Sequence, residues 1–167
     1  LKENGVIVDS GCLKKEAKAL NQSFFFLMAT GKPWVTVKVG MSLDGFSAMA
    51  SGESKWITST DSRKNVQKLR AKASAILTGS GTILADNPSL TVRDSDYDTK
   101  GRNPIIVIVD RRLRIDPAAK VLSHGEVILF THFSNSKRVK RNVLTDLGCK
   151  VEYYKSLNRD GEIEELM

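Results

Sequence analysis

The chain has 167 residues with 41% hydrophobic and 27% charged positions, and 26 Lys and Arg against 19 Asp and Glu give it a net charge of +7. These values are typical of one globular domain with a substantial core and exclude a wholly disordered chain, and no apolar run is long enough to predict a membrane span. The positive charge favours an anionic partner, such as a phosphorylated metabolite, a nucleotide or a nucleic acid, although many of the lysines recur at spacings typical of solvated helix faces.

The first 72 residues contain predicted strands and helices in alternation. Gly5–Val8 is typical of a short strand, and apolar residues at three- and four-residue steps in Leu13–Thr30 predict a helix that ends at the following Gly-Lys-Pro. Trp34–Val39 alternates between apolar and other residues, which predicts the first strand of a sheet. Residues 60–72 predict an amphipathic helix. Three residues are candidates for its N-cap: Thr58, Ser59 and Thr60.

The rest of the chain continues the alternation of an α/β protein. Four segments have strand patterns: Ser74–Thr78, Ile105–Val109, Glu126–Thr131 and Lys150–Tyr154. The second of these is uniformly apolar and branched, which indicates a central strand buried on both faces of a sheet flanked by helices. Asp94–Asn103 is polar and predicts an exposed loop. The final segment, "LNRDGEIEELM", predicts a helix that has scarcely begun, so we expect the fold to be incomplete at its C-terminus.

Three loops at the ends of predicted strands contain residues that can hold a ligand. Gly40–Gly45 follows the first strand of the predicted sheet, Gly79–Thr82 the second and Asp110–Arg112 the third. Ligands bind outside the carboxyl ends of the strands in open α/β sheets, so these loops predict a cleft, although Gly and Asp are also ordinary turn formers. Gly79-x-Gly81 could bring backbone N–H groups close to a phosphate. A Rossmann dinucleotide fingerprint is excluded because Leu84 stands at its last glycine position.

Two arginines are candidates for binding an anion. In the helix predicted over 60–72, Val66, Leu69 and Ala73 define an apolar stripe, and Arg70 lies about 70° from the middle of that stripe. Its stem can therefore pack on the core while its guanidinium reaches into a cleft. Pairing of Arg70 with a local carboxylate is an equally good interpretation of the helix geometry. Arg93 could clamp a phosphate or simply flank a strand.

The chain offers few residues for metal binding or nucleophilic catalysis. Cys12 and Cys149 lie far apart without a CxxC motif, which predicts reduced thiols and no structural metal. His124 and His132 are isolated, no Ser/His/Asp set is visible, and His132 is interpreted as a turn residue. Asp86, in an Asp-Asn-Pro run, is typical of a turn, although it could also accept hydrogen bonds from a ribose or an amide.

Three segments, taken together, resemble a known family. They are "VTVKVGMSLDGFSAMASGESKWITS", "LRAKASAILTGSGTILADNPSLTVR" and "NPIIVIVDRRLRI". In this order and spacing they resemble the reductase domain of the bifunctional riboflavin-biosynthesis deaminase/reductase, from about Pro33 to the end of the chain. Residues 1–31 resemble the tail of the preceding deaminase domain and its linker helix, which makes residues 32–167 the reductase domain. The zinc motifs of the deaminase are absent from this sequence, so we expect no deaminase activity, and zinc only in a deaminase domain outside it.

The resemblance implies a dihydrofolate-reductase-like α/β fold with a mostly parallel central sheet flanked by helices. It also implies NADPH as the hydride donor, and reduction of the ribose of 5-amino-6-(5-phosphoribosylamino)uracil to a ribityl chain. Cofactor contacts are implied for five positions: Gly40, Trp56, Thr82, Asp86 and Arg111. Substrate contacts are implied for four positions: Ser54, Arg70, Leu90 and Arg93.

The resemblance leaves the roles of three residues open: Trp56, Asp44 and Asp86. The indole of Trp56 would cover the cofactor and keep water from the hydride path, or it is a rim tryptophan buried against the first strand. No proton donor is identified by the resemblance. Asp44 and Asp86 are the nearest titratable candidates, and Asp44 could instead hold its turn.

Two features depart from the family pattern. Arg111 replaces a small hydroxyl residue, so a cofactor contact there would use the backbone. The later Glu-Gly-Gly segment of the family, which should supply a substrate-binding Glu and a glycine-rich cofactor loop, does not occur in these 167 residues. We therefore expect poor NADPH affinity from this sequence by itself.

Two other functions remain as alternatives. A noncatalytic basic module that binds nucleic acid would use the +7 charge, but Tyr153-Tyr154-Lys155 is the main aromatic signal for it. A pteridine or folate reductase on the same fold is the second alternative. With the reductase as the favoured function, we expect a phosphorylated small molecule as partner rather than nucleic acid or a membrane, together with a homodimer and a cytoplasmic location.

Overall fold

The computed structural model describes residues 1–132 and 138–155, and in it the chain divides into two compact units, residues 1–39 and a unit that begins at Gly40. The domain boundary predicted between residues 31 and 32 lies N-terminal to this division and stays a prediction. The helix predicted within "LNRDGEIEELM" lies outside the described residues.

The N-terminal unit is helical, and the long helix predicted there is interrupted. A 3-10 helix covers Lys2–Asn4, α1 covers Lys14–Leu20 and α2 covers Gln22–Thr30. Asn21 separates α1 from α2 with φ −114° and ψ 32°, outside the helical range. Gly31 ends α2 in the left-handed conformation at φ 69°, which glycine adopts without a Cβ clash. The stop predicted at Gly-Lys-Pro is therefore confirmed.

The two strands predicted in this unit are wrong. Gly5–Val8 forms a turn followed by irregular backbone, and Trp34–Val39 is irregular throughout. The alternating valines of the second segment, which were expected to face a core, are all solvent-exposed. Alternation is not sufficient for a strand, because a strand also needs a neighbouring chain to satisfy its N–H and C=O groups. The sheet described below contains no strand from this segment.

The first helix of the second unit is α3, Thr60–Lys72, at the bounds that the sequence predicts. Ser59 is the N-cap, and its side chain accepts a hydrogen bond from the backbone N–H of Ser62 at 3.2 Å. At the other end, Arg102 donates to the carbonyl oxygens of Ala71 at 2.8 Å and Ala73 at 3.3 Å. Both ends of α3 are thus fixed by side chains, which holds the helix in place for the residues it presents.

Four parallel strands form one sheet in the order β1-β2-β3-β4. They are β1 Ala75–Gly79, β2 Ile105–Val109, β3 Val127–His132 and β4 Lys150–Tyr154. All four were predicted, with bounds shifted by at most one residue for β1 and β3. Consecutive strands lie side by side in the same direction. Each connection therefore leaves the sheet at the carboxyl ends of the strands and returns to their amino ends, as in an α/β fold.

The connections contain two α-helices that the sequence patterns did not predict. The first, α4 Ser80–Asp86, follows β1 without an intervening loop and packs against it. The second, α5 Arg138–Asp146, connects β3 with β4 and packs against β4. A 3-10 helix, Lys120–Ser123, lies between β2 and β3. Among the helices of the described residues, none has both the length and the hydropathy that crossing a bilayer requires.

The core lies on one face of the sheet. Ile106 and Ile108 of β2 are buried there with Leu129 of β3 and Leu144 of α5. The alternate residues of β2 are only partly buried. The predicted position of β2 inside the sheet is confirmed. We predicted burial on both faces, but only one face of β2 is fully buried and the other is partly exposed. Branched apolar side chains occur in buried and in partly exposed strand positions, so the sequence did not show this difference between the two faces.

We predict that Ile108→Ala lowers the free energy of unfolding by about 2–5 kcal/mol, because Ile108 is fully buried and its truncation leaves a cavity. Urea denaturation monitored by circular dichroism measures the change. The control is Val139→Ala on the exposed side of α5, which should change stability by less than about 0.5 kcal/mol. Equal losses in the two variants would contradict this assignment of the core.

Candidate functional site

A cavity of about 500 Å³ lies at the carboxyl edge of the sheet, between the ends of β1 and β2. One wall is the turn from β1 into α4: Gly79, Ser80 and Gly81. The other wall continues from β2: Val109, Asp110, Arg111, Arg112 and Arg114. Three arginines and one aspartate among these lining residues give the wall a positive balance. Two of the three loops of the predicted cleft therefore line this cavity, whereas Gly40–Gly45 does not contribute to its lining. The charge of the cavity suits an anion.

Asp110 holds the arginine-rich wall in place. Its side chain is 0% exposed, and its Oδ2 accepts hydrogen bonds from the backbone N–H groups of Arg114 and, at 2.7 Å, Ile115. The Nε of Arg114 lies 4.0 Å from Oδ1, and its Nη2 donates to Ser80 Oγ at 3.2 Å. Asp110 thus folds the loop after β2, and Arg114 connects that loop with the first residue of α4.

A second basic region lies where α3 meets the segment from Asn87 to Arg93. Arg70 Nη1 donates to the carbonyl oxygen of Thr91 at 3.1 Å, and the backbone N–H of Arg93 donates to Gln67 Oε1 at 3.0 Å. Burial lowers the pKa of Arg70, and the positive charge of Arg93 lowers it further. The partner of Arg70 is a backbone oxygen, so the alternative of pairing with a local carboxylate is not what the structure shows.

The side chain of Leu90 is buried, which limits how this residue could contact a substrate. Its side chain is 8% exposed and belongs to the hydrophobic core, and its φ is 55°, in the left-handed region that leucine rarely adopts. Asn87, three residues earlier, also has a positive φ of 41°, and its Oδ1 accepts the backbone N–H of Lys120 at 2.9 Å. A substrate contact at Leu90 would therefore use its backbone rather than its side chain.

Trp56 is 71% exposed, and the guanidinium carbon of Arg63 lies 4.4 Å from the centre of its ring. The alternative of a tryptophan buried against the first strand is therefore wrong, since the ring is exposed and the predicted strand does not form. Ser54 lies two residues before it and is partly buried. The sequence reasoning missed Arg63, although a basic residue in the first turn of a helix is a signal, because the helix dipole disfavours it there.

The Ser-Leu-Asp-Gly segment forms a tight turn. Ser42 Oγ donates to Asp44 Oδ1 at 2.5 Å, and the backbone N–H of Ser42 donates to the carbonyl oxygen of Phe46 at 2.9 Å. Gly45 has φ 86°, which requires glycine or a strained residue. These contacts favour a structural role for Asp44. Gly40, partly buried, comes just before this turn at the start of the second unit.

The candidate cofactor residues are not all in one place. Arg111 lines the cavity, and Thr82 follows the lining residue Gly81 in α4. Asp86 is the last residue of α4 and is exposed. Trp56 precedes α3 in the sequence and is not among the residues that line the cavity.

The residues that line the cavity include no cysteine or histidine. Cys12 is exposed and Cys149 is buried, both are free, and burial raises the pKa of the Cys149 thiol. His132 was interpreted as a turn residue, but it is the buried last residue of β3, with its ring edge-on to Tyr154 at 5.7 Å. No group of three or more His, Cys, Asp or Glu side chains that could hold a metal ion occurs in residues 1–132 and 138–155.

Comparison with known proteins identifies similar sequences. A family model described as the RibD C-terminal domain matches residues 33–166. The riboflavin biosynthesis protein RibD of Escherichia coli strain K12 is 44% identical over 147 residues, covering 83% of this chain and 40% of the relative. RibD of Bacillus amyloliquefaciens is 42% identical over 153 residues, covering 90% of this chain and 40% of the relative. The chain thus spans about two fifths of the length of these curated relatives.

Similar solved structures also include RibD proteins. Acinetobacter baumannii RibD, form 2, superposes with a TM-score of 0.80 at 39% identity, covering 94% of this chain and 43% of that one. A Thermotoga maritima diaminohydroxyphosphoribosylaminopyrimidine deaminase/5-amino-6-(5-phosphoribosylamino)uracil reductase superposes with a TM-score of 0.75 at 32% identity, covering 97% and 43%. The predicted dihydrofolate-reductase-like α/β fold is confirmed by these neighbours.

We predict that Asp110→Ala lowers the free energy of unfolding by about 2–4 kcal/mol, because two backbone N–H groups lose their acceptor. Asp110→Asn keeps an acceptor oxygen and should cost less. The control is Asp116→Ala, since Asp116 accepts the backbone N–H of Ala118 at 2.8 Å in an exposed turn. Denaturant unfolding of the three variants measures the order, and a loss for Asp116→Ala as large as that for Asp110→Ala would contradict the role of Asp110.

Proposed function

Because the chain belongs to the RibD C-terminal domain family, we propose that it catalyses an NADPH-dependent reduction in riboflavin biosynthesis. The substrate in this proposal is 5-amino-6-(5-phosphoribosylamino)uracil, and its ribose becomes the ribityl chain of the product. The fit of the basic regions to phosphorylated ligands supports the proposal. The name of the Thermotoga maritima relative includes this substrate, and the chain covers 43% of that longer protein.

The single observation that carries the proposal is that α3 binds the segment of Arg93 at two points: Arg70 Nη1 donates to the carbonyl oxygen of Thr91, and Gln67 Oε1 accepts the backbone N–H of Arg93. Burial and repulsion by the positive charge of Arg93 both lower the pKa of Arg70. A bound phosphate would turn this repulsion into two attractive contacts, and the planar fork of arginine matches its oxygen atoms. We assign the phosphate of the phosphoribosyl group to this region, with Ser54 and the backbone of Leu90 as further substrate contacts.

The cavity between β1 and β2 fits part of a phosphorylated dinucleotide. A Cβ added at Gly79 or Gly81 would meet no atom within 4 Å, so these glycines leave open space beside the backbone of the β1–α4 turn. On the opposite wall Arg111, Arg112 and Arg114 supply positive charge. We propose that NADPH lies along this edge, with Thr82 and Asp86 of α4 and Gly40 as additional contacts. The structure allows Arg111 to contribute its side chain as well as its backbone, because that side chain is exposed at the cavity.

The protein's part in the reaction is to orient the two ligands. The reduced nicotinamide supplies the hydride when NADPH is bound. The protein would hold the substrate at its phosphate end through Arg70 and Arg93 and cover the cofactor with the indole of Trp56, which limits the access of water. No role as proton donor is assigned to Asp44, because its Oδ1 accepts the Ser42 hydroxyl. Asp86 stays a candidate for that role.

The alternatives have less support. A nucleic-acid-binding module would need several stacking aromatic side chains on a basic face, but of the two predicted tyrosines Tyr154 is 2% exposed and cannot stack on a base, which leaves Tyr153, 43% exposed. The family match does not support this function either. A homodimer and a cytoplasmic location remain predictions that follow from the resemblance to the family.

We predict that the full-length protein oxidises NADPH when the phosphoribosylaminouracil is added, and that dihydrofolate does not support the reaction. The loss of near-ultraviolet absorbance of NADPH measures the rate, and mass spectrometry identifies a product heavier by two hydrogen atoms. Turnover of dihydrofolate without turnover of the uracil substrate would favour the pteridine or folate reductase instead.

We also predict that Arg70→Lys raises the KM for the substrate roughly tenfold, because the ammonium group lacks the planar fork that binds phosphate at two points. Lys68→Ala is the control, since Lys68 is an exposed residue of the same helix, and its KM should stay unchanged. Steady-state kinetics measure both variants. An unchanged KM in Arg70→Lys would remove Arg70 from the substrate site.

A further inference from the structure

Arg63 occupies a position that its charge disfavours. It is the fourth residue of α3, and its backbone N–H donates to the carbonyl oxygen of the N-cap Ser59 at 3.1 Å. The positive end of the helix dipole repels a cation in this first turn, where anionic side chains such as that of Asp61 are preferred. The charge must therefore be compensated by contacts of the guanidinium group.

Three contacts fix the guanidinium of Arg63. Its Nη1 donates to the carbonyl oxygen of Thr58 at 2.5 Å, and its Nη2 donates to Thr60 Oγ1 at 2.9 Å. The guanidinium carbon lies over the ring of Trp56, 4.4 Å from the ring centre. Two hydrogen bonds from one planar group leave it little freedom to rotate, so the guanidinium is held over the ring of Trp56.

The stack leaves Trp56 with one face for a ligand. The guanidinium covers one side of the indole, yet the residue as a whole is 71% exposed. An exposed tryptophan would otherwise lose its rotamer freedom when a ligand ordered it, which weakens binding. A ring that is already held in place avoids most of this loss and presents a flat, apolar surface of the kind that stacks on another aromatic ring.

Arg63 and Arg70 lie on the same side of α3. They are seven residues apart, which places them about 20° apart around the helix axis and about 10 Å apart along it. The residue that contacts the indole and the residue that would contact the phosphate therefore lie on the same side of one helix.

We propose that Arg63 is a positioning residue: it holds the indole of Trp56 so that its uncovered face receives the nicotinamide ring of NADPH. This inference rests on the proposed function, because the cofactor is the ligand that would use the indole. Arg63 does not contact the reacting atoms in this arrangement. It acts through Trp56, and its contribution is to the binding of the cofactor rather than of the uracil substrate.

The first test needs no cofactor. In the background Trp34→Phe, Trp56 is the single tryptophan, because the chain has 2 Trp. Arg63→Met removes the planar group but keeps a long side chain, so we expect lower fluorescence anisotropy of Trp56 and stronger quenching by acrylamide. Lys64→Met, the neighbouring exposed residue of α3, should change neither value. Anisotropy and quenching that do not differ between the two variants would overturn the proposal.

The second test is kinetic and uses the full-length protein. We expect the KM for NADPH to rise roughly three- to tenfold in Arg63→Met and also in Arg63→Lys, because lysine keeps the charge but not the planar stack. The KM for the uracil substrate and the melting temperature should stay close to those of the wild type. Lys64→Met should again be without effect.

The outcomes separate this proposal from the proposed function. An active wild type whose NADPH KM is unchanged by Arg63→Met would overturn the role of Arg63 alone. Equal increases in both KM values, or full rescue by lysine, would show a general structural effect or a pure charge effect and would also overturn it. A wild type without reductase activity would overturn the proposed function, and the nicotinamide contact with it.

Discussion

The parallel pairing of β1 with β2 determines where this protein can bind a ligand. The register places Gly79 beside Val109, so the two strands end at the same level and their following residues face each other across one cavity. A shift of one residue would exchange the faces of β2 and remove Ile106 and Ile108 from the core. The burial of these two side chains therefore also fixes the position of Asp110 and the arginines that follow it.

The helix α3 organises the second basic region in the same way. Its ends are fixed by Ser59 and Arg102, and between them it presents Arg63 and Arg70 on one side. The first of these is stacked on Trp56, and the second reaches the backbone of Thr91. A regular helix spaces such contacts by geometry alone, so one element can place two guanidinium groups on one side without a rigid loop between them.

Much of the fold after residue 59 was predictable from the sequence, whereas most of the fold before it was not. The four strands and α3 have clear apolar patterns and end signals, and these agree with their packing. Trp34–Val39 has an equally clear alternation, but a strand depends on a partner that no local pattern reveals. The short helix α4 was missed because it begins directly after a strand with Ser-Gly-Thr, a run typical of turns.

Only those parts of the candidate site that have a local sequence signal could be predicted. Glycines and charged residues after strands are visible in the sequence, so the cavity at the ends of β1 and β2 could be expected. The region of Arg70 and Arg93 was suggested by helix geometry for Arg70, while its hydrogen bond to Thr91 joins residues 21 positions apart and no local pattern shows it. Arg63 was missed because charged residues on a helix are usually solvated, although its place near the N-terminus was a signal.

The contrast between the two cysteines has a practical consequence for experiments in solution. Cys12 belongs to the N-terminal unit and is exposed, whereas the thiol of Cys149 is enclosed beside the core, where a raised pKa also keeps it protonated at neutral pH. A maleimide dye or spin label would therefore attach to the native chain at one known position. The label would report on the N-terminal unit and would leave both basic regions of the second unit chemically unmodified.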